Sequence, residues 1–315
     1  MNHNRREFIK TMGLGTAGLF ALSSFDITRL ADQVDLIRLT IVHTNDMHSQ
    51  IEAFPIGHKK YSGMGGMAKR ASIIQSIREE SAHMLLFDSG DIFQGTPYFN
   101  FFGGEVELKL MSEMGYDCAT MGNHDFDNGL IGFEKMLPHA NFPFVTSNYD
   151  FSDTILDGKT YPYRIFKKGP LKIGVFGIGI KLQGLVNKDL YGDTVHLDEI
   201  LTANTTAKIL VDRGCDFVIC LSHLGYRYDD NKISDLELAK KTCNIDLILG
   251  GHTHTFLEQP TSIQNSENQA ILVNQAGWAG LAIGKLDYFF EKSSKRKWDN
   301  NTALFTNKNC AKKII

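Results

Sequence analysis

The chain has 315 residues, 43% of them hydrophobic, which is enough apolar material for one large domain, and no shift in composition along its length marks a second. A formal net charge of -3 and a pI near 6.4 leave no electrostatic footprint for nonspecific nucleic-acid binding. Five cysteines (Cys118, Cys215, Cys220, Cys243 and Cys310) without C-x-x-C spacing argue against a zinc knuckle or a disulfide framework and read as small core residues.

In chain order, the N-terminus comes first. Arg5 and Arg6 precede Phe8, Ile9 and Lys10, and a Gly- and Ala-containing apolar segment follows that is too short to span a bilayer. The stretch resembles a twin-arginine export signal, with Ala21-Leu22-Ser23 as its small-residue cleavage site. The alternative is an ordinary amphipathic helix. The expected layout is a signal peptide over 1–25, a catalytic domain over 35–290 and a tail over 291–315, in a protein of the periplasm or cell exterior. No cysteine lies near the cleavage region, so neither a lipid anchor nor another stable membrane anchor is expected.

Downstream, a pattern repeats: an apolar, β-branched run ends in a short loop of Asp, His, Asn and Gly, and a helical stretch often follows. "LIRLTIV" leads into His43-Thr44-Asn45-Asp46-Met47-His48, "MLLF" into Asp88-Ser89-Gly90-Asp91, and "CATM" into Gly122-Asn123-His124-Asp125. Later "FVICLS" leads into His223, and "IDLIL" into Gly250-Gly251-His252-Thr253-His254. Continuous apolar runs of this length suit strands buried on both faces. Residues 67–80, 106–114 and 201–211 carry apolar side chains at helical spacing. Strands alternating with helices imply an α/β fold, in which ligands gather beyond the carboxyl ends of the strands. The polar clusters are therefore expected to converge on one crevice. "VFGIGIKLQG" misses the G-x-G-x-x-G spacing and reads as a glycine-lined strand end. "AILVNQAGWAGLAIGKLDYFF" reads as two strands joined through a glycine-containing turn, and the basic run 292–297 as a solvated turn.

The strand-end residues Asp46, His48, Asp91, Asn123, His223, His252 and His254 form one set. Carboxylate, imidazole and amide oxygen suit manganese, zinc, iron, cobalt or magnesium, and no thiolate is among them. Seven donors are too many for one catalytic zinc, which takes three protein ligands and keeps an open position. Two divalent ions sharing one carboxylate would use them, stabilising the attacking and leaving oxygens of an in-line displacement.

The order of these motifs resembles that of the calcineurin-like metallophosphoesterases: Asp-x-His, Gly-Asp, Gly-Asn-His-Asp, a lone His and Gly-His-x-His stand here as "NDMH", "SGD", "GNHD", "SHLG" and "GGHTH". The resemblance spans roughly Leu36 to Gly284. Within that family, "GDIFQGTPYF", "EMGYDCATMGNHDFDNG" and "NQAGWAGLAIGKLDY" are most similar to the catalytic domain of the 5'-nucleotidase and UDP-sugar hydrolase branch. The resemblance implies two mixed β-sheets packed as a sandwich flanked by helices, a four-layer αββα arrangement.

It also implies roles. Asp46, His48, Asp91 and His254 would hold one metal, and Asp91, Asn123, His223 and His252 the other. Some nucleotidase relatives have Gln where His254 stands, which leaves the preferred metal open. His124 would meet the phosphoryl group as a cation, beside Asn123, which also faces phosphate. Asp127 would orient His124, with a helix N-cap as its alternative role; Asp125 would fix the loop, and Gly122 and Gly129 would let it turn. The implied reaction is hydrolysis of a nucleotide phosphomonoester. In the two-domain nucleotidases a separate C-terminal domain reads the base, so a separate chain carrying that domain is an expected partner. The alternatives are a 2',3'-cyclic-nucleotide phosphodiesterase, a broad-specificity phosphatase or, more distantly, a hydrolase of sulfur conjugates. A non-enzymatic scaffold would be favoured had a ligand been lost, and none is.

Overall fold

Apolar runs become strands that cross the interior, and the computed structural model describes them within residues 36–295; the segments expected to be an export signal and a tail beyond 295 lie outside the described residues. The first elements are β1 (Leu36–Thr44), α1 (Met67–Glu79), β2 (Met84–Asp88), α2 (Pro97–Phe102), α3 (Glu105–Met114), β3 (Cys118–Ala119) and α4 (Gly129–Met136). Then come β4 (Tyr149–Asp150), β5 (Tyr163–Lys168), β6 (Leu171–Gly179), α5 (Lys188–Tyr191), β7 (Val195–His196), α6 (Glu199–Asp212) and β8 (Phe217–His223). The chain continues through α7 (Asp235–Lys241), β9 (Leu247–Leu249), β10 (Thr261–Gln264), β11 (Ala270–Asn274) and β12 (Gly284–Glu291).

Two mixed sheets result, ordered β12-β1-β2-β3 and β10-β11-β9-β8-β6-β5, with β4 and β7 pairing separately. Within the first sheet β1, β2 and β3 are parallel, and within the second β6, β8, β9 and β11 are; β12, β5 and β10 run antiparallel at the edges. Side-chain alternation along each strand divides the apolar residues between two faces. Ile37, Leu39 and Ile41 of β1 and Leu85 and Phe87 of β2 meet Ile173 and Val175 of β6 and Phe217, Ile219 and Leu221 of β8 between the sheets. Val42, Met84 and Leu86 face the other way, onto Ile74 of α1, Leu108 and Met111 of α3 and Phe133 of α4. Phe176, Val218 and Cys220 likewise cover Ala203, Ala207 and Leu210 of α6 and Leu238 of α7. Helix, sheet, sheet and helix are thus stacked in four layers.

Helices α1 and α3 match the expected spans to within one residue, and α6 begins two residues early because the Asp198 carboxylate accepts from Leu201 N. Cys118 and Cys220 are buried, and Cys215 and Cys243 partly so; no disulfide joins these four. Residues 292–294 turn away from β12, as expected of the basic run. The segments β11 and β12 are both strands, but they do not form a hairpin: β11 lies in the six-stranded sheet and β12 in the four-stranded one. The intervening residues 275–283 are more than a hairpin turn needs, and they carry the chain from one sheet to the other across the strand ends.

Phe217 is fully buried between the sheets, its ring 4.5 Å from Tyr288 and 5.7 Å from Phe290. Phe217→Ala is expected to cost about 3–5 kcal/mol, read as a fall in the urea midpoint at unchanged slope.

Candidate functional site

Each candidate residue follows the carboxyl end of a strand. Asp46 and His48 lie just past β1, Asp91 past β2, and Asn123 and His124 past β3. His223 is the last residue of β8, and His252 and His254 follow β9. These strands are parallel within each sheet, and the meeting of Asp91 with His223 and His252, and of Asp46 and His48 with His254, shows that the ends from both sheets lie on the same side of the sandwich. Asp46, His48, Asp91, His252 and His254 all have positive φ, between 47° and 74°. Non-glycine residues held there cost on the order of 1 kcal/mol each, and such strain gathers at sites that need a fixed geometry. The loops are tied to one another through the backbone: Asp46 N to Gly90 O (2.9 Å), His48 N to Asp91 O (3.0 Å) and Ala279 N to Asp46 O (2.7 Å).

Two clusters form. Asp46, His48 and His254 bring donor atoms within 4.8 Å of one another, as do Asp91, His223 and His252. In the first cluster, His254 Nε2 is 2.9 Å from His48 Nε2 and 3.3 Å from Asp46 Oδ1. In the second, His223 Nε2 is 3.0 Å from Asp91 Oδ2, and His252 Nδ1 is 2.8 Å from Asn123 Oδ1. Asp91 Oδ2 also lies 3.9 Å from His48 Nε2, so this oxygen is reached from both clusters.

This donor set fits divalent cations. His48 Nδ1 donates to Gln94 O (3.2 Å) and His223 Nδ1 to Ser89 O (2.7 Å), which turns each Nε2 edge inward. His223 Nε2 is buried and makes no hydrogen bond despite its nearness to Asp91. Burial opposes charge on Asp91, but His223 and His48 outweigh it and hold the carboxyl below the usual carboxylate range. Burial likewise opposes charge on His223, yet the Asp91 carboxylate pushes that imidazole up to about 10. His252 is pushed down to about 4, by burial and by its neighbour His223.

The loop after β3 divides its residues by direction. The Asp125 carboxylate turns away from both clusters and accepts from the backbone N–H of Asp91 (3.0 Å), Ile92 (3.0 Å), Phe93 (3.2 Å) and Gly122 (2.8 Å). It therefore fixes the loop, as expected, and locks it to the one carrying Asp91. His124 N donates to Asp91 Oδ1 (2.8 Å), while its ring points outward with Nδ1 2.9 Å from Asp127 Oδ2. That hydrogen bond is the main reason the His124 pKa is raised. Asp127 does not cap α4, whose N-cap position falls on Asn128. Gly129 has φ of 67°, but Gly122 is needed for another reason: a Cβ there would fall 2.2 Å from Asp91 Oδ1.

Three residues beside the clusters were not singled out by the sequence. Asn45 donates to Asp46 Oδ2 (2.6 Å) and Gly277 O (2.7 Å) and accepts from Ala276 N (2.8 Å). Trp278 stacks on His254, with centroids 5.5 Å apart and planes 7° off parallel. Gln275 lies buried under the loop of His252 and His254. Their signal was proximity to the "NDMH" and "GWAG" stretches, which spacing alone does not resolve into contacts.

The model of the calcineurin-like phosphoesterase family matches residues 39–256. With the four-layer fold and the clusters at its strand ends, this establishes that the chain belongs to that family of phosphate-ester hydrolases. It is 32% identical over 292 residues to a snake venom 5'-nucleotidase of Gloydius brevicauda, covering 86% of this chain and 48% of the relative. It is 31% identical to a trifunctional nucleotide phosphoesterase of Bacillus subtilis, covering 84% of this chain and 19% of the relative. Among solved structures, a 5'-nucleotidase precursor from Thermus thermophilus superposes with a TM-score of 0.76 at 30% identity, covering 84% of this chain and 53% of that one. The chain thus spans about half the length of the nucleotidases it matches.

Asp125→Ala would orphan four buried N–H groups. At roughly 1 kcal/mol or more for each lost acceptor, a loss of about 3 kcal/mol or more is expected in chemical denaturation, together with loosened packing around Asp91.

Proposed function

We propose that this chain hydrolyses nucleotide phosphomonoesters, releasing nucleoside and phosphate, at a centre of two divalent metal ions that share Asp91. The observation that carries the reading is the pair of donor clusters meeting at one carboxylate, with the His124 and Asp127 pair beside it. Asp46, His48, Asp91 and His254 would hold one ion, and Asp91, Asn123, His223 and His252 the other; manganese, zinc, iron, cobalt and magnesium all suit these donors. When bound, two such ions lower the pKa of water and neutralise charge on attacking and leaving oxygens.

The chain's own residues supply the rest. Asn123, whose Oδ1 lies 2.8 Å from His252 Nδ1, would also present its amide to a phosphoryl oxygen. The His124 imidazole, partly exposed and 5.3 Å from the His48 ring, is placed to meet a phosphate ester at the clusters. With its pKa raised by the Asp127 hydrogen bond, it would, as a cation, stabilise charge on the phosphoryl oxygens or protonate the leaving oxygen. The nucleotide as substrate rests on the relatives, several of which are 5'-nucleotidases. A second reading, hydrolysis of 2',3'-cyclic nucleotides or a wider range of phosphate esters, draws on the similarity to a trifunctional nucleotide phosphoesterase. The chain matches about half of each nucleotidase, and we propose that a substrate-reading domain like the one in their other half acts together with this site. Export by the twin-arginine route to the periplasm or cell exterior completes the proposal. Among the described residues, no helix is long and apolar enough to cross a membrane.

Product formation by the manganese-loaded chain tests the substrate, read as phosphate from 5'-nucleotides and an aryl phosphate and as phosphomonoester products from UDP-glucose and 2',3'-cyclic nucleotides. Preference for 5'-nucleotides is expected, and indiscriminate turnover would favour the broader reading. Asp91→Asn is expected to abolish activity; normal turnover with full metal content would refute a shared carboxylate. His124→Ala is expected to keep both metals and lose about 10²-fold or more in kcat, and loss of a metal instead would overturn the division of roles within "GNHD".

A further inference from the structure

The loop 250–255 carries one residue of each cluster: His252 belongs with Asp91 and His223, and His254 with Asp46 and His48. Both histidines stand at positive φ, so the loop needs support to keep them there. Much of that support comes from one fully buried side chain. Gln275 Nε2 donates to Gly251 O (2.7 Å), just before His252, and Gln275 Oε1 accepts from Thr255 N (3.1 Å), just after His254. The same Oε1 accepts from the Thr253 hydroxyl (3.3 Å), between the two histidines.

The amide cannot be reversed, because its Nε2 also donates to Asp235 Oδ2 (2.8 Å), and both that carboxylate and the Gly251 carbonyl are acceptors. Asp235 is itself buried and held by the Ser222 hydroxyl (2.6 Å), next to His223. The fit beneath the loop is tight: a Cβ on Gly250 would fall 1.9 Å from Asp235 Oδ2 and 2.8 Å from Gln275 Nε2.

We propose that Gln275, oriented by Asp235, is a positioning residue that couples the two metal sites. Because one amide brackets the stretch bearing both imidazoles, its loss releases His252 and His254 together, and both ions weaken in step. This rests on the dinuclear reading proposed above. It assigns a role to a residue outside the donor set.

The test is manganese titration calorimetry on the full chain, with metal content after dialysis, well below the melting temperature of each variant. Under those conditions a loss of global stability alone leaves metal affinity untouched. Gln275→Met, which keeps the volume and removes the amide, is expected to lower the affinity for both ions about 10- to 100-fold. His48→Ala, which removes a donor from one cluster, is expected to weaken one ion selectively. Gln275→Met that holds both ions with wild-type affinity, or loses only one, overturns the proposal. Should that variant fail to fold, Gln275→Glu keeps the acceptor for Thr255 N and loses the donation to Gly251. Parallel weakening supports the coupling there, and loss of one ion or none refutes it. A wild-type chain that takes up fewer than two manganese ions would instead overturn the dinuclear reading itself, a failure separate from that of the Gln275 role.

Discussion

Two carboxylates, Asp46 and Asp91, are sunk almost completely out of solvent at the top of the sandwich, and the rest of the site is arranged around them. A buried charge without compensation costs several kcal/mol. Here each carboxylate is met by backbone donors. His252 N lies 3.0 and 2.9 Å from the two Asp46 oxygens, and His124 N lies 2.8 Å from Asp91 Oδ1. Each is then faced by imidazole nitrogens, and the opposite edges of His48 and His223 are held by backbone carbonyls. Cations are the natural complement of such a set, and the reading of the chain as a metal-dependent phosphoesterase follows from that chemistry as much as from its relatives.

The sandwich makes this crowding achievable. The two sheets pack through a continuous apolar layer, and the parallel strands of both end where the two donor clusters meet. The loops beyond them are then stitched together crosswise. Asp125 binds the β3 loop to the β2 loop, Asn45 binds the β1 loop to the crossover 275–283, and Gln275 binds that crossover to the β9 loop. The strained backbone at five of the seven donor positions persists because these bonds over-determine it.

Much of this was legible in the sequence. Fully buried strands such as β2 and β8 announce themselves as unbroken apolar runs, and the five polar clusters that follow such runs locate the crevice. What escaped has physical causes. The β5 strand is half-buried at a sheet edge, so neither a continuous run nor a clean alternation marks it. The short α7 has too few turns for periodicity, although Ser234, which caps it by accepting from Glu237 N, is a readable signal. Which sheet each of β11 and β12 would join was not legible because strand pairing is a long-range property: β12 finds its register against β1, more than two hundred residues away. Gln275 and Asn45 act through partners distant in sequence, which no local pattern reveals.

Anomalous diffraction from crystals of the full chain grown with manganese is the most direct test of the central claim. Two peaks are expected about 3.5–4 Å apart, with Asp91 between them, Asp46, His48 and His254 around one, and Asn123, His223 and His252 around the other. A single peak, or two peaks that do not share Asp91, would contradict it.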